Sequence, residues 1–552
     1  MRRLVLVLTG IAVVLVIVIG GVAVALNTGG DGDGEGSDTG EALPPREAGE
    51  LRLFGPDPLT LDPACANDAS SARYIVEVFS GLLTFDQDQN IVSDIAKSIP
   101  EPDSNADGSV TYTFELRRGV LFHDRSRQVT ARDFKFSMER ALSPDTLSSI
   151  ALVYLGDIVG AEEFADGEAE AVTGIEAVGD FTLEITIDAP KPYFLAKLTY
   201  PTAFVVDRNE VGDSSCFQGT EWTLSPNGTG PFKLEEWRLG ERVILLGNEQ
   251  YEPQPSLAKV TYLLAGGSQL TMYENDEVDI AFVGLNDIER IRDPSDPLNP
   301  EFREAPSLDT AYVGFNVTKP PFDDVKVRQA FAMAVDKDKL VKVVLRELAV
   351  PANGILPPDM PGFNPGLEGL PFDPEGAKEL LAQSKYGDNR PEITLTSSGQ
   401  GATVGPVLDN ILFQWEENLG VTVNADQEQF GLFLQDLDAG RFQMFDLGWV
   451  ADYIDPQNFL EIKFYSENIG STNETRYSNS EVDELLEKAQ TEENQKERFA
   501  LYRRAEEIIV EDAAWIPLFH GKNSYLVKPY VQGFEEPPLV IPRLRYVSLS
   551  QR

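Results

Sequence analysis

Only two histidines, His123 and His520, and two cysteines, Cys65 and Cys216, occur among 552 residues. A Cys/His metal cluster or a Cys/His nucleophile pair would have to use nearly every one of them, so neither is expected. The chain has no G-x-S-x-G elbow, no H-E-x-x-H helix and no Walker loop. "DSNADG" sets Asp103, Asn105, Asp107 and Gly108 at calcium-loop offsets, but Phe114 stands where the bidentate glutamate belongs, so the stretch reads as a turn before a strand. "GQGATVG", Gly399 to Gly405, lies between a strand and a helix, as a dinucleotide loop would. Its spacing is G-x-G-x-x-x-G and no acid closes the following strand, so no nucleotide cofactor is expected. What remains is one carboxylate. In "GWVADYIDP", Gly448 to Pro456, Asp452 lies among the aromatics Trp449 and Tyr453, in what reads as a short buried strand after "FQMFDL". Burying an unpaired carboxylate costs several kcal/mol, so either it reaches water or a cation comes to meet it.

The elements that must hold this acid are those of a large globular chain. About 42% of the residues are apolar, and the length exceeds what one core can serve, which predicts two or more lobes. Asp and Glu number 90 against 46 Lys and Arg, a formal charge of -44. Nucleic acid is excluded as a partner, because phosphate binding rests on basic surface. The acid excess reads as a solvated surface, and more sharply as a field that enriches cationic ligands near a site.

Arg2 and Arg3 precede a nearly unbroken apolar run from Leu4 to Leu26, long enough to span a bilayer, with acids after it. An uncleaved membrane anchor is expected, although "AVA" at Ala23 to Ala25 leaves a cleaved signal segment open. No cysteine follows closely enough for lipid modification. Residues 27–49, Gly and Asp rich, read as a flexible tether, which puts the remaining residues outside the membrane. An even cysteine count in an exported chain favours a Cys65–Cys216 disulfide over two free structural thiols.

"ELRLFGPD" reads as an opening strand, and "SSARYIVEVFSGLLTF" as a helix capped by Ser70 or Ser71. "SVTYTFELRRGVLFHD" reads as two strands, and "TARDFKFSMERAL" as a helix started by Thr130. From Phe181 strands follow, "FTLEITID", "AFVVD", "FKLEEWRL", "RVILLGN" and "VTYLLAG". "EITLTSSGQGATVGPVLDNILFQWEENLG" with "VTVNADQE" is a βαβ unit. "SNSEVDELLEKAQ" and "TEENQKERFALYRRAEEIIVED" are amphipathic helices, and no internal repeat is present.

Taken together in this order, "LTLDP" with "VFSGLL", "YTFELRRGVLFHD" with "TARDFKFSMERAL", "NGTGPFKLEEW", "YVGFNVTKPPFDDVKVRQAFAMAVDKDKL", "GWVADYIDP" and "YSNSEVDELLEKA" resemble the extracellular solute-binding proteins of family 5, the oligopeptide, dipeptide and nickel binding group that serves ABC importers. The likeness runs from about Leu51 to the C-terminus. One departure is Arg125 in "FHDRSRQVTA", where relatives carry a glycine.

The resemblance implies a bilobal, periplasmic-binding-protein-like α/β fold of type II with an additional α/β domain. Its first lobe would comprise residues 50–79, 185–309 and 520–552, the additional domain 80–184 and the second lobe 310–519. Both cysteines then fall on the first lobe, which fits the disulfide. It further implies that Asp452 receives the α-ammonium of a peptide, that Gly448, Trp449 and Val450 pair with the peptide backbone, and that Asn67, Asp68 and Ala69 face them. Tyr453 flanks the site. No arginine stands near the glycine loop, so either the ligand's C-terminus is held by no fixed charge, or the loop amides with Ser397, Ser398, Gly399 and Gln400 capture it. The expected partners are a peptide and the permease of an importer, with the protein itself a monomer, without cofactor or metal and without catalysis. Rival readings are another solute, such as a nickel chelate, an oligosaccharide or an opine-like amine, or an exported hydrolase or sensor domain. The histidines align with framework stretches "LFHD" and "PLFHG", which disfavours the hydrolase, and three residues before the apolar run leave no space for a sensor's output domain.

Overall fold

The computed structural model describes residues 46–387, 389–399, 404–541 and 543–551; the apolar N-terminal run, the tether as far as Pro45, and Gln400 lie outside the described residues. Strand β1 (Glu50–Phe54) opens the chain, and a small hairpin of β2 (Leu83–Phe85) and β3 (Ile91–Ser93) follows. Strands β4 (Asp103–Ser104), β5 (Val110–Glu115), β6 (Ile175–Ala177) and β7 (Thr182–Ile187) make a four-stranded antiparallel sheet in the order β4-β5-β7-β6. Residues alternate along it: Val110, Tyr112 and Phe114 of β5 and Leu183, Ile185 and Ile187 of β7 pack on the helix Ala131–Leu142 through Phe134 and Met138. Thr130 caps that helix in a reciprocal pair with Asp133, as the sequence predicts.

Strands β8 (Phe232–Arg238), β9 (Arg242–Gly247) and β10 (Lys259–Leu263) join β1 in a second sheet, β1-β10-β9-β8, in which only β1 and β10 run parallel. The largest sheet combines β11 (Ile280–Phe282), β12 (Phe302–Pro306), β13 (Asp309–Phe315), β14 (Ala349–Pro351), β15 (Thr394–Ser398), β16 (Asn424–Glu428), β17 (Met444–Val450) and β18 (Trp515–Val527). Its path is β11-β18-β13-β17-β15-β16, with β15 and β16 parallel around the helix Pro406–Leu419, the βαβ unit expected from sequence.

The thirteen-residue β18 is shared by the two halves of the molecule. Its first part pairs with β13 and β14, and its last part with β11 and β12. At the changeover, the Asp309 carboxylate accepts the Gly521 N–H at 2.9 Å, and His520 Nδ1 lies 3.0 Å from the Asp309 carbonyl. One core of the second half, with Val313, Phe331, Leu395 and Trp415, lies on one face of this sheet. On the other face Tyr312, Phe445, Phe464 and Trp515 form a core that also takes in Tyr154, Tyr193 and Tyr200 from the first part of the chain. The result is a bilobal α/β fold with an additional domain, its halves in contact.

Several local readings differ from what is observed. Asp68, not Ser70 or Ser71, caps the helix Ala69–Val78, its carboxylate accepting the Ser71 N–H at 2.9 Å. The expected strand "AFVVD" has no sheet edge to join: Pro201–Ala203 is a 3-10 turn, and the extended residues after it bond to the Ser80 carbonyl and the Ser137 hydroxyl. The strand expected after "RRG" shrinks to a bridge between Leu121 and Gln128. Arg125, the departure noted above, adopts φ +64°, a left-handed conformation that glycine enters without steric cost. Cys65 and Cys216 form a disulfide across 151 residues of chain. Among the described residues no helix is long and apolar enough to cross a membrane, and no group of His, Cys, Asp and Glu is arranged to hold a metal ion.

Candidate functional site

Asp452 lies two residues past the end of β17, where the largest sheet meets the first half of the molecule. Its carboxylate accepts a hydrogen bond from Asn458 Nδ2 at 2.9 Å and another from the Tyr154 hydroxyl, while its own N–H donates to Asn458 Oδ1 at 3.0 Å. Asn458 is fully buried in the helix Gln457–Phe464, and its carbonyl also accepts the Trp449 indole N–H at 2.9 Å. One asparagine therefore fixes both the acid and the aromatic of "GWVAD".

Among the described residues no lysine or arginine forms an ion pair with Asp452. Lys463, whose Nζ lies 4.3 Å from the Trp449 ring centre, pairs with Glu474 instead. Burial pushes the Asp452 carboxyl up to about 6, against the opposing pull of its two hydrogen-bond donors and of Lys463. Two hydrogen bonds satisfy part of a carboxylate's acceptor capacity and leave its charge uncompensated.

Tyr154 reaches Asp452 from the far side of the interface. Its ring stacks on Tyr200 with centroids 3.6 Å apart and planes 4° from parallel, and the Tyr200 hydroxyl donates to the Ala66 carbonyl at 3.0 Å. The stacked pair thus joins the segment leading into Asn67, Asp68 and Ala69 to the acid. Asp68 is buried, with one carboxylate oxygen left without a hydrogen-bond partner, and Asn67 and Ala69 are half-buried. Burial and the Asp452 charge hold the Tyr154 hydroxyl well above its ordinary range, so it stays a donor.

The backbone beside the acid is open on one edge. Gly448, Trp449 and Val450 pair with Ala311, Thr310 and Asp309 of β13. On the other side, β15 pairs with β17 only as far as Thr396 with Phe445, so among the described residues no strand occupies the second edge of Gly448–Val450. Gly448 is exposed and Val450 half-buried. Such an edge offers N–H and C=O groups to an extended chain. Tyr453 is fully buried, with its hydroxyl bonded to Gln457 and its ring edge-on to Tyr154 at 6.4 Å, so it supports the acid from the core. Ser397, Ser398 and Gly399 lie at the end of β15: Ser397 is buried, and Gly399 extends the pairing with β16 by donating to the Glu428 carbonyl at 2.8 Å.

Sequence reasoning missed Tyr154, Tyr200 and Asn458. Asn458 belongs to "QNFLEIKF", a helix whose eight residues are all buried, so its polar side, with Gln457, Asn458 and Glu461, reads in sequence like an ordinary solvated face. Tyr154 lies 298 residues from its partner, in "ALVYL", with no local signal at all.

A profile of the bacterial extracellular solute-binding proteins, family 5 middle, matches residues 90–471. The periplasmic oligopeptide-binding protein OppA of Escherichia coli (strain K12) is 28% identical over 500 residues, 88% of this chain and 89% of its own. The probable deoxycholate-binding periplasmic protein YgiS of the same organism is 31% identical over 501 residues, 87% of this chain and 89% of its own. The structure of the murein tripeptide binding protein MppA of E. coli superposes with a TM-score of 0.79 at 28% identity, covering 91% of this chain and 99% of that one. An unliganded open form of MppA gives 0.63 at the same identity, covering 91% of this chain and 97% of that one, so the arrangement of halves seen here is more like the first MppA structure than that open form. Profile and relatives converge on one assignment: the chain belongs to the bacterial extracellular solute-binding proteins of family 5.

Proposed function

We propose that this protein captures peptides in extended form between its two lobes and hands them to the permease of an ABC importer. The observation that carries the reading is Asp452: a desolvated carboxylate with hydrogen-bond donors but, among the described residues, no ion-pair partner, placed beside an open strand edge. A peptide's α-ammonium supplies the missing charge through charge-assisted hydrogen bonds, and its first residues bond to Gly448–Val450 on one side and to Asn67–Ala69 on the other. Main-chain pairing gives affinity without reading side chains. The names of OppA and MppA, an oligopeptide and a murein tripeptide binder, support the peptide class.

The lobes of this reading are residues 50–79, 185–309 and 520–552 for the first, 80–184 for the additional domain and 310–519 for the second; the partition of β18 near His520 supports the last boundary. The apolar run Leu4–Leu26 anchors a monomer to the outer face of the cytoplasmic membrane. A second reading, a carboxylated steroid of the kind named for YgiS, has that relative in its favour but finds an acid where its own acid would lie.

Calorimetry with the soluble portion decides between them. Asp452→Ala should weaken binding of a free-amine peptide by about 2–5 kcal/mol, the cost of breaking a buried charge pair. N-acetylation of the peptide should cost wild type a similar amount and the variant little. Equal affinities for wild type and variant would overturn the assignment of Asp452.

A further inference from the structure

The strands β15 and β17 separate beyond Thr396 and Phe445, their last paired residues. The next residue on each, Ser397 and Asp446, therefore borders the gap between the two strands at the carboxyl end of β15, the end from which ligands approach a parallel βαβ unit. Leu395 and Met444, two residues earlier on each strand, share one face of the sheet and one core, so alternation puts Ser397 and Asp446 on that face as well. Gln427 of β16 stands opposite Ser397 and joins the row. All three side chains have a buried oxygen with no hydrogen-bond partner: Ser397 Oγ, Gln427 Oε1 and Asp446 Oδ1. Ser397 is only 3% exposed, and a buried hydroxyl without a partner is costly. Among the described residues no lysine or arginine forms an ion pair with Asp446.

Three neighbouring acceptors, one of them a carboxylate, call for a donor that is positively charged. We propose that this gap is a side-chain subsite for a basic residue of the bound peptide, with the ammonium or guanidinium on Asp446 and further hydrogen bonds to Ser397 and Gln427. The inference rests on the peptide reading above and deepens it: the α-ammonium goes to Asp452 and a second cationic group to Asp446, upstream on the same strand. Burial raises the Asp446 carboxyl to about 7, which a cation in the gap would reverse. The chain then selects peptides with a basic side chain near their N-terminus, in keeping with its formal charge of -44.

The test is titration calorimetry at pH 7.5 with tetra-alanine and with the three tetrapeptides that carry a single lysine at position 2, 3 or 4. At one of these positions lysine should tighten binding at least about tenfold relative to tetra-alanine, the effect of one desolvated charge pair. Asp446→Asn, which preserves side-chain shape, should remove that ratio. Binding of tetra-alanine with no gain at any lysine position, or a gain that survives Asp446→Asn, overturns the subsite and leaves the peptide reading standing. Failure of all four peptides to bind overturns both.

Discussion

At the scale of the residue, the chemistry of this protein is the cost of one charge. An aspartate normally titrates near 3.8, and Asp452 is held at about 6 by burial, so burying its charge without a cation costs roughly 3 kcal/mol at pH 7. That penalty is absent below the ordinary carboxyl range, grows as pH rises towards 6, and is complete above it. A bound ammonium requires the charged carboxylate, so the dependence of binding runs the opposite way. Affinity for a peptide with neutral side chains should fall as pH drops from about 6 towards the ordinary carboxyl range, approaching a tenfold loss per pH unit, because a proton must leave before the amine can bind. Above about pH 8 the free peptide's own amine begins to lose its proton, so affinity should peak near neutrality. Calorimetry of trialanine between pH 4.5 and 8.5 checks this; an acid limb equally steep in Asp452→Asn would assign the proton to another group.

At the scale of the element, what could be read in advance depended on whether a segment's neighbours are local. The βαβ unit around "SSGQGATVG" was legible because strand, loop and helix follow one another, and Thr130 was legible because a cap acts within one turn. "AFVVD" misled because alternation marks extended backbone but does not supply a partner strand. Asp452 itself stood out, since an acid among aromatics needs explaining, whereas Asn458 and Tyr154 are visible only once the helix after Pro456 and the distant "ALVYL" have folded against it. Arg125 shows how a departure from a pattern becomes physical. Its backbone lies at φ +64°, and its ion pair with Glu249 is long, at 3.8 Å, between side chains 52% and 77% exposed. Such a pair contributes almost nothing, while a side chain in the left-handed region costs about 1 kcal/mol. Arg125→Gly should therefore raise the free energy of unfolding by about that amount, measured by urea denaturation; a loss of stability would mean that the side chain does more than its contacts indicate.

At the scale of the whole molecule, one hydrogen bond spans the two halves. Tyr154 comes from the first part of the chain and Asp452 from the second, and Tyr200, stacked on Tyr154, continues the connection to Ala66, next to Asn67. On the proposed reading, closure without a ligand gains this hydrogen bond but desolvates an uncompensated carboxylate, whereas closure with a peptide gains the bond and neutralises the charge. The ligand thus shifts the open–closed equilibrium by the difference, which is how a binding protein can present its permease with a closed form only when it is loaded. Tyr154→Phe removes the bond and keeps the ring stack. It should weaken peptide binding by about 1.5–3 kcal/mol, the range for a hydrogen bond to a charged group, while the contraction seen by small-angle scattering at saturating peptide persists. Because the lost energy belongs to closure, the weakening should lie mainly in a faster off-rate measured by stopped flow. An unchanged off-rate with a slower on-rate would place Tyr154 in the encounter with the ligand and not in the closed state.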